Sequence, residues 1–322
     1  MGTAVDWELV LLSAGIEIVG IDVGCSGGMP YRWERLGRAL RYVGVDPLTT
    51  EVERLQASAK AKQTFIAAFV DCPGGSSRTD KRCSDLFQRT SAAEVQRNGY
   101  DVIKENFNGG RAVAYTDRHI DVDTLLRESE CISVDLLKID IDGDDFPCFR
   151  AFTEHPAGQR LGLVEIESQF HGDLSPDGNT FDNIARLARS MALDLYDLSP
   201  YRYSRAAMPG KFIFDFPAQT HNGQVMWADA VFARDLFETN ADPQEVVKIA
   251  ALLSIYDLDD CAFELLQNQQ SRLKDHIDIA LILEKLETSN NAYLASSEVL
   301  PSGLEPAWIR LLRAARRLWR SR

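Results

Sequence analysis

Five ionisable side chains stand at alternate positions in two short apolar runs. In VDLLKIDIDG, 134–143, Lys138, Asp140 and Asp142 alternate with Leu137, Ile139 and Ile141; in LGLVEIESQF, 161–170, Glu165 and Glu167 alternate with Val164 and Ile166. Extended backbone puts residues two apart on one face, so each run, read as a strand, has one charged and one apolar face. Central strands of a parallel sheet are usually apolar on both faces, and unpaired buried charge is expensive. Lys138 is expected to pair with Glu165 across adjacent strands, a structural use. Asp140 and Asp142 lie nearer the carboxyl end of their strand, where open α/β sheets meet their ligands. A carboxylate there can orient a hydroxyl or accept its proton, although Asp142-Gly143 also suits a plain helix cap. Together with Glu165 and Glu167 the two aspartates can alternatively hold a hard divalent cation such as Mg2+. His171, just beyond Glu167, is either the histidine that reaches this group or an ordinary surface-loop histidine.

A second constellation is IDVGCSGGMPYRWERLG, 21–37, where Asp22, Gly24, Ser26, Gly27 and Gly28 separate an apolar run from a helical pattern. Glycine lets the backbone take φ > 0 or touch a ligand directly. The spacing is not the dinucleotide G-x-G-x-x-G, because Ser26 stands where the second glycine belongs, and no Gly-Lys-Ser/Thr follows to make a phosphate loop. Asp46 closes the next strand, where an acid can accept hydrogen bonds from ribose hydroxyls. A nucleotide-like cofactor, a phosphate and a tight turn are the three candidate reasons for the glycines. Tyr201, Tyr203 and Arg205 in SPYRYSR suit the wall of a sugar or anion pocket, and suit turn packing equally.

The elements that must position these residues follow from periodicity. EIVGIDVGC (17–25), RYVGVDP (41–47) and QTFIAAFVDC (63–72) read as strands, with YRWERLGRAL and TTEVERLQASAKA as intervening helices, the second capped by Thr49 or Thr50. Residues 73–133 form a turn-rich excursion, a candidate lid. Then come the two charged strands with a DDFPCFRAF helix between them, and a helix over TFDNIARLARSMAL (180–193). DLYDLSPY and GKFIFDFP follow, too close together for a crossover and therefore antiparallel. The expected fold is α/β, a Rossmann-like, doubly wound, mostly parallel seven-stranded sheet with an antiparallel last strand, over 1–238. A helical C-terminal extension occupies 239–322. Within it PQEVVKIAALLSIYDLDDCAFELLQNQ looks like one tetratricopeptide-type helix pair, or a plain helical layer packed on the sheet domain.

Composition narrows the function classes. The 322 residues carry a net charge of −13, which argues against a nucleic-acid surface. Six cysteines and five histidines are scattered without zinc spacing or a disulfide framework, as expected of reduced thiols in a cytoplasmic protein. A signal peptide or myristoylation is not expected from the opening residues, Asp6 standing where the latter needs Ser or Thr, and no apolar stretch is long enough to span a bilayer. WIRLLRAARRLWRSR, 308–322, has six arginines and no acidic residue. Trp308, Leu311, Leu312, Ala315 and Trp319 recur at helical spacing, so this segment either lies on an anionic membrane or docks on the acidic body of its own chain.

The D-x-G-x-S-x-G spacing of Asp22 to Gly28 resembles the first motif of Rossmann-like S-adenosylmethionine-dependent methyltransferases. DLLKIDIDGDDFPCF, 135–149, resembles the signature of the FkbM-type methyltransferases, LVEIE (163–167) their next strand, and HIDVDTLL (119–126) the lead into the signature. The likeness covers 17–235. It implies an S-adenosylmethionine site made by Asp22, Gly24, Ser26, Gly27, Gly28 and Asp46. It also implies that Asp71 accepts from the adenine amino group, unless Asp71 merely ends a strand. Lys138, Asp140, Asp142, Glu167 and His171 become the candidates for O-methylation of a sugar, glycan precursor or related natural product. The chain departs from the family pattern in Asp142, where glutamate is usual, and in the paired Gly27-Gly28. The rival functions are a nicotinamide-dependent oxidoreductase and a non-catalytic scaffold that binds S-adenosylmethionine.

Overall fold

The computed structural model describes residues 4–73, 115–141, 144–170, 176–203 and 224–296. Asp142, His171, Arg205, the GKFIFDFP segment and the basic stretch 308–322 lie outside the described residues. The elements in chain order are α1 (Trp7–Ser13), β1 (Ile18–Val23), a 3-10 helix (Tyr31–Ala39), β2 (Leu40–Asp46), α2 (Thr49–Ala57), β3 (Gln63–Ala67) and β4 (Phe69–Val70). Next come β5 (His119–Ile120), α3 (Val122–Glu128), β6 (Leu136–Ile139), α4 (Asp145–Glu154), a 3-10 turn (Pro156–Arg160), β7 (Leu163–Gln169) and α5 (Phe181–Ser190). The order finishes with β8 (Leu193–Tyr203), β9 (Gln224–Arg234), α6 (Pro243–Ile255), α7 (Asp259–Asn268), α8 (Gln270–Leu273) and α9 (Ile279–Ser296).

Seven strands form one sheet in the order β3-β2-β1-β6-β7-β9-β8. All pairs are parallel except those of β9, which runs antiparallel to both β7 and β8. This is a Rossmann-like α/β sheet with an antiparallel last strand and C-terminal helices. The order reverses at β1, so the crevice beyond the carboxyl ends of β1 and β6 is the place such a sheet offers a ligand. Every side chain of β1 is buried, as its Ile/Val-rich sequence requires of a central strand. β8 is the edge and tolerates Pro200, which has no N–H to give to a ladder.

Two apolar layers flank the sheet. On one face Val19, Ile21, Val43, Leu137, Ile139, Val164, Ile166 and Phe232 pack with α3, α4 and α5 residues such as Leu125, Phe149 and Ile184. On the other, Ile18, Leu40, Leu136, Leu163, Val231 and Ala233 pack with Trp7, Trp33 and the helices of the extension. Seven consecutive residues of α6 from Ile249 to Ile255, with Val246 and Val247, are buried; a helix apolar nearly all round must be covered on every side. The helical layer is thus continuous with the sheet's core.

Local structure departs from the periodicity in four places. The helix expected after β1 is 3-10, interrupted at Gly37 (φ 51°). Its buried residues Trp33, Leu36 and Ala39 recur every third place, the repeat of a 3-10 helix and not of an α-helix. Neither Thr49 nor Thr50 caps α2: Leu48 is the cap residue and no side chain bonds there, while Asp46 Oδ1 accepts the Leu48 N–H at 2.8 Å. The strand expected over 63–72 divides after Ala67, and β4 leaves the main sheet to pair with β5. The antiparallel partner of β8 is β9, QVMWADAVFAR, a segment that the turn-rich residues before it obscure in the sequence. The five described cysteines all carry free thiols.

Candidate active site

The even-numbered face of the central strands changes character halfway along. Gly20, Leu136, Leu163 and Ala233 share one level of the sheet, Asp22, Lys138, Glu165 and Val231 the next, and Glu167 and Asp229 the one beyond. The first level lies under the helical layer; from the second onward, Val231 apart, the side chains named are polar. Asp140 follows Lys138 on the same face and is exposed, while Lys138, Glu165, Glu167 and Asp229 are half-buried. Alternation thus delivers Lys138, Asp140 and Glu167 to one surface, as expected.

Lys138 does not pair with Glu165. Its ammonium donates to Asp140 Oδ2 at 3.0 Å and stands 3.8 Å from Asp22 Oδ1. Burial opposes its charge, but Asp140 and Asp22 outweigh that and hold it well above the ordinary lysine value. Glu165 is taken by the extension instead. Tyr256, buried just past α6, donates to Glu165 Oε2 at 2.7 Å and accepts from Trp33 Nε1 at 3.0 Å. Burial, then the nearby Glu165 charge, push the Tyr256 phenol well up, so it stays a donor.

Asp22 is 1% exposed. Its Oδ2 accepts from Tyr42 at 3.0 Å, and its Oδ1 is a buried oxygen with no hydrogen-bond partner. Burial raises its pKa from 3.8 to about 6 against the opposing pull of Lys138. An orphaned buried acceptor is unusual, and this one lies at the carboxyl end of β1, beside the glycine turn.

The turn itself has a complete internal hydrogen-bond account. The N–H groups of Gly24 and Cys25 go to the Val45 carbonyl, Gly28 to Cys25, Ser26 to Asp46 Oδ2 at 3.1 Å and Gly27 to Glu51 Oε1 at 3.0 Å. Asp46 therefore braces the turn through Oδ2 while its Oδ1 holds the Leu48 N–H; burial raises its pKa and these backbone donors pull it back. Glu51 is held below its ordinary value, first by its hydrogen bonds from Arg54. All three glycines have positive φ. At Gly24 a Cβ would lie 2.0 Å from the Asp140 carbonyl oxygen, so the neighbouring strand excludes a side chain there. At Gly27 nothing lies within 4 Å of that position, and at Gly28 only Leu55 Cδ2, at 3.0 Å. The space above Gly27 is open.

Asp71 directly follows β4, and its carboxylate meets His119 Nδ1 at 2.8 Å, where Phe69 stacks on the histidine ring. The loop after β6 is tied to α4 by Asp145, fully buried, which accepts from the Ile141 N–H and from Asn179; this places the end of β6 rigidly. Among the described residues no group of three His, Cys, Asp or Glu side chains is arranged to hold a metal ion. Four contributors escaped sequence reasoning: Tyr42, Glu51, Tyr256 and Asp229. None of the four is marked by a local pattern; in QVMWADAVFAR Asp229 is flanked by alanines and polarity does not alternate.

No protein family's sequence profile matches the chain, and no curated protein sequence matches it. Several solved methyltransferase structures show a distant similarity to the chain. A TehB-like S-adenosylmethionine-dependent methyltransferase from Corynebacterium glutamicum is 13% identical over 73% of this chain and 90% of its own, with TM-score 0.27. The 1,6-didemethyltoxoflavin-N1-methyltransferase of Burkholderia thailandensis, solved with S-adenosylhomocysteine, is 13% identical over 70% and 76%, with TM-score 0.29. The glycopeptide N-methyltransferase MtfA, solved with sinefungin, is 10% identical over 73% and 89%, with TM-score 0.24. Overlays this loose carry no weight on function; the Rossmann-like class rests on the strand order and register described above. No described helix is long and apolar enough to cross a membrane.

Proposed function

We propose that the chain is an S-adenosylmethionine-dependent O-methyltransferase of FkbM type, acting on a hydroxyl of a sugar, glycan precursor or related natural product. The observation that carries this reading is the closed hydrogen-bond account of the glycine turn. From Gly24 to Gly28 every N–H is already used, two of them by carboxylates. A pyrophosphate needs free N–H donors and no facing acids, so the turn is poorly suited to a nicotinamide dinucleotide. A nucleoside cofactor without phosphates makes no such demand on these N–H groups, and its ammonium and ribose hydroxyls need room and acceptors. The open space over Gly27, the unpartnered Asp22 Oδ1 and the acid Asp46 supply these.

In this reading Asp22 Oδ1 accepts from the cofactor's ammonium, and Gly27 and Gly28 leave room beside it. The bound cofactor supplies an electrophilic methyl group. The chain's own residues do the rest: Lys138 holds Asp140 at the carboxyl edge, and Asp140 and Glu167 face the space where an acceptor hydroxyl is oriented. Asp142 and His171 belong to the same proposed site by their place in the sequence, and Asp71 to its adenine end. Incubating the protein with methyl-labelled S-adenosylmethionine and fractionated cell glycans and small molecules tests the activity. Label in an alkali-stable ether of a hydroxylated compound is expected. Label confined to amines or thiols would contradict O-methylation.

A further inference from the structure

Asp229 and Tyr201 reach the same polar surface from the last two strands. β9 runs antiparallel, so Asp229 lies directly opposite Glu167 on β7 and one level beyond Glu165. Tyr201 on β8 pairs in register with Trp227, stacks on it with ring centroids 5.5 Å apart, and donates its hydroxyl to Asp229 Oδ2 at 2.9 Å. Asp140, the other aspartate at this edge, is already engaged by the Lys138 ammonium at 3.0 Å. Asp229 has no cationic partner within ion-pair distance among the described residues, and one face of its carboxylate is fixed by a neutral donor.

We infer that Asp229 is the catalytic base of the proposed methyl transfer, and that Tyr201 is the residue positioning it. This rests on the methyltransferase reading. The acceptor oxygen bonds to the methyl carbon and displaces sulfur, which keeps the pair of the broken carbon–sulfur bond. The hydroxyl proton passes to Asp229 and then to water. The groups facing Asp229 are Tyr201 from β8, Glu165 and Glu167 from β7, and Lys138 and Asp140 from the end of β6. Burial, followed by the charges of Asp140 and Glu165, raises its pKa from 3.8 to about 6, against the Tyr201 hydrogen bond and Lys138. A base poised there is ionised at neutral pH and still basic enough to accept a proton.

The test uses the full chain, its Asp229→Asn and Tyr201→Phe variants, labelled S-adenosylmethionine and the extract fraction that accepts label. Asp229→Asn should lower transfer by about 100-fold or more, the scale of general-base catalysis, with S-adenosylhomocysteine affinity unchanged by calorimetry. Tyr201→Phe removes a hydrogen bond to the ionised carboxylate, so the acidic limb of the rate profile should move to higher pH. The carboxyl-carbon NMR titration of Asp229, assigned by its loss in Asp229→Asn, should move by the same amount. Transfer by Asp229→Asn at more than a tenth of the parent rate would overturn the assignment, as would an NMR shift in Tyr201→Phe without a kinetic one. A parent protein that binds S-adenosylhomocysteine but labels nothing overturns it too. A parent that binds none removes the methyltransferase reading itself.

Discussion

Asp22 concentrates the conflict between stability and binding at the residue scale. It is buried with one oxygen unpartnered, and its folded pKa of about 6 lies above its ordinary 3.8. A raised carboxylate pKa means that the folded state holds the proton more tightly than the unfolded one. The associated stability is complete below about pH 4 and is lost as pH rises through about 6, a change on the order of 3 kcal/mol. Asp22→Asn keeps the shape and an acceptor for Tyr42, so it should flatten that part of the pH–stability curve and raise the melting temperature at pH 7.5. The same change should weaken S-adenosylhomocysteine binding. Thermal melts at pH 4.5 and 7.5 beside calorimetry check both; a variant less stable than the parent at pH 7.5 would refute the account of this group. The glycines separate in a similar way. Gly24→Ala forces a Cβ onto the Asp140 carbonyl and should compromise folding, whereas Gly27→Ala should fold at a cost of about 1 kcal/mol for its positive φ and report on the cofactor. Equal melting temperatures for the two variants would contradict this division.

Among the elements, α6 and the turn behind it act as the floor of the site. Lys248 donates to Asp135 Oδ1 at 2.8 Å, and Asp135 Oδ2 takes the Val19 N–H at 2.9 Å, clamping α6 to β1. Lys248→Ala leaves the buried Asp135 without its cation and should destabilise by about 3–5 kcal/mol. Tyr256→Phe leaves Glu165 without a donor and Trp33 Nε1 without an acceptor, each costing about 1–3 kcal/mol. Denaturant unfolding at fixed pH measures both; changes below 1 kcal/mol would mean that the extension only rests on the sheet. Here the limit of sequence reasoning is physical. Period-two alternation makes the charged face of 134–143 and 161–170 legible, because neighbouring strands need only local geometry to share a face. The Lys138–Glu165 pairing fails because Tyr256, a partner 91 residues from Glu165, competes for the same carboxylate. No local pattern announces such a partner.

At the scale of the whole molecule, the strand order puts β1, β6 and β7 at the centre and brings β9 back beside β7. The polar halves of four strands therefore form one surface, while their apolar halves lie beneath a helical layer. The apolar runs and their spacing made this sheet legible. An antiparallel last strand was legible too, but not its residues, since QVMWADAVFAR has weak alternation and follows a stretch with a more obvious strand pattern. The glycine turn stands out in the sequence as a candidate, but its hydrogen-bond account depends on Glu51 and Asp46 folding back onto it, which only three dimensions reveal. The central claim is that this turn receives a nucleoside cofactor lacking phosphates. Parallel calorimetric titrations of the full chain with S-adenosylhomocysteine and with NAD test it most directly. The account predicts saturable S-adenosylhomocysteine binding that Asp22→Asn weakens, and no heat from NAD; NAD binding with none for S-adenosylhomocysteine would contradict it.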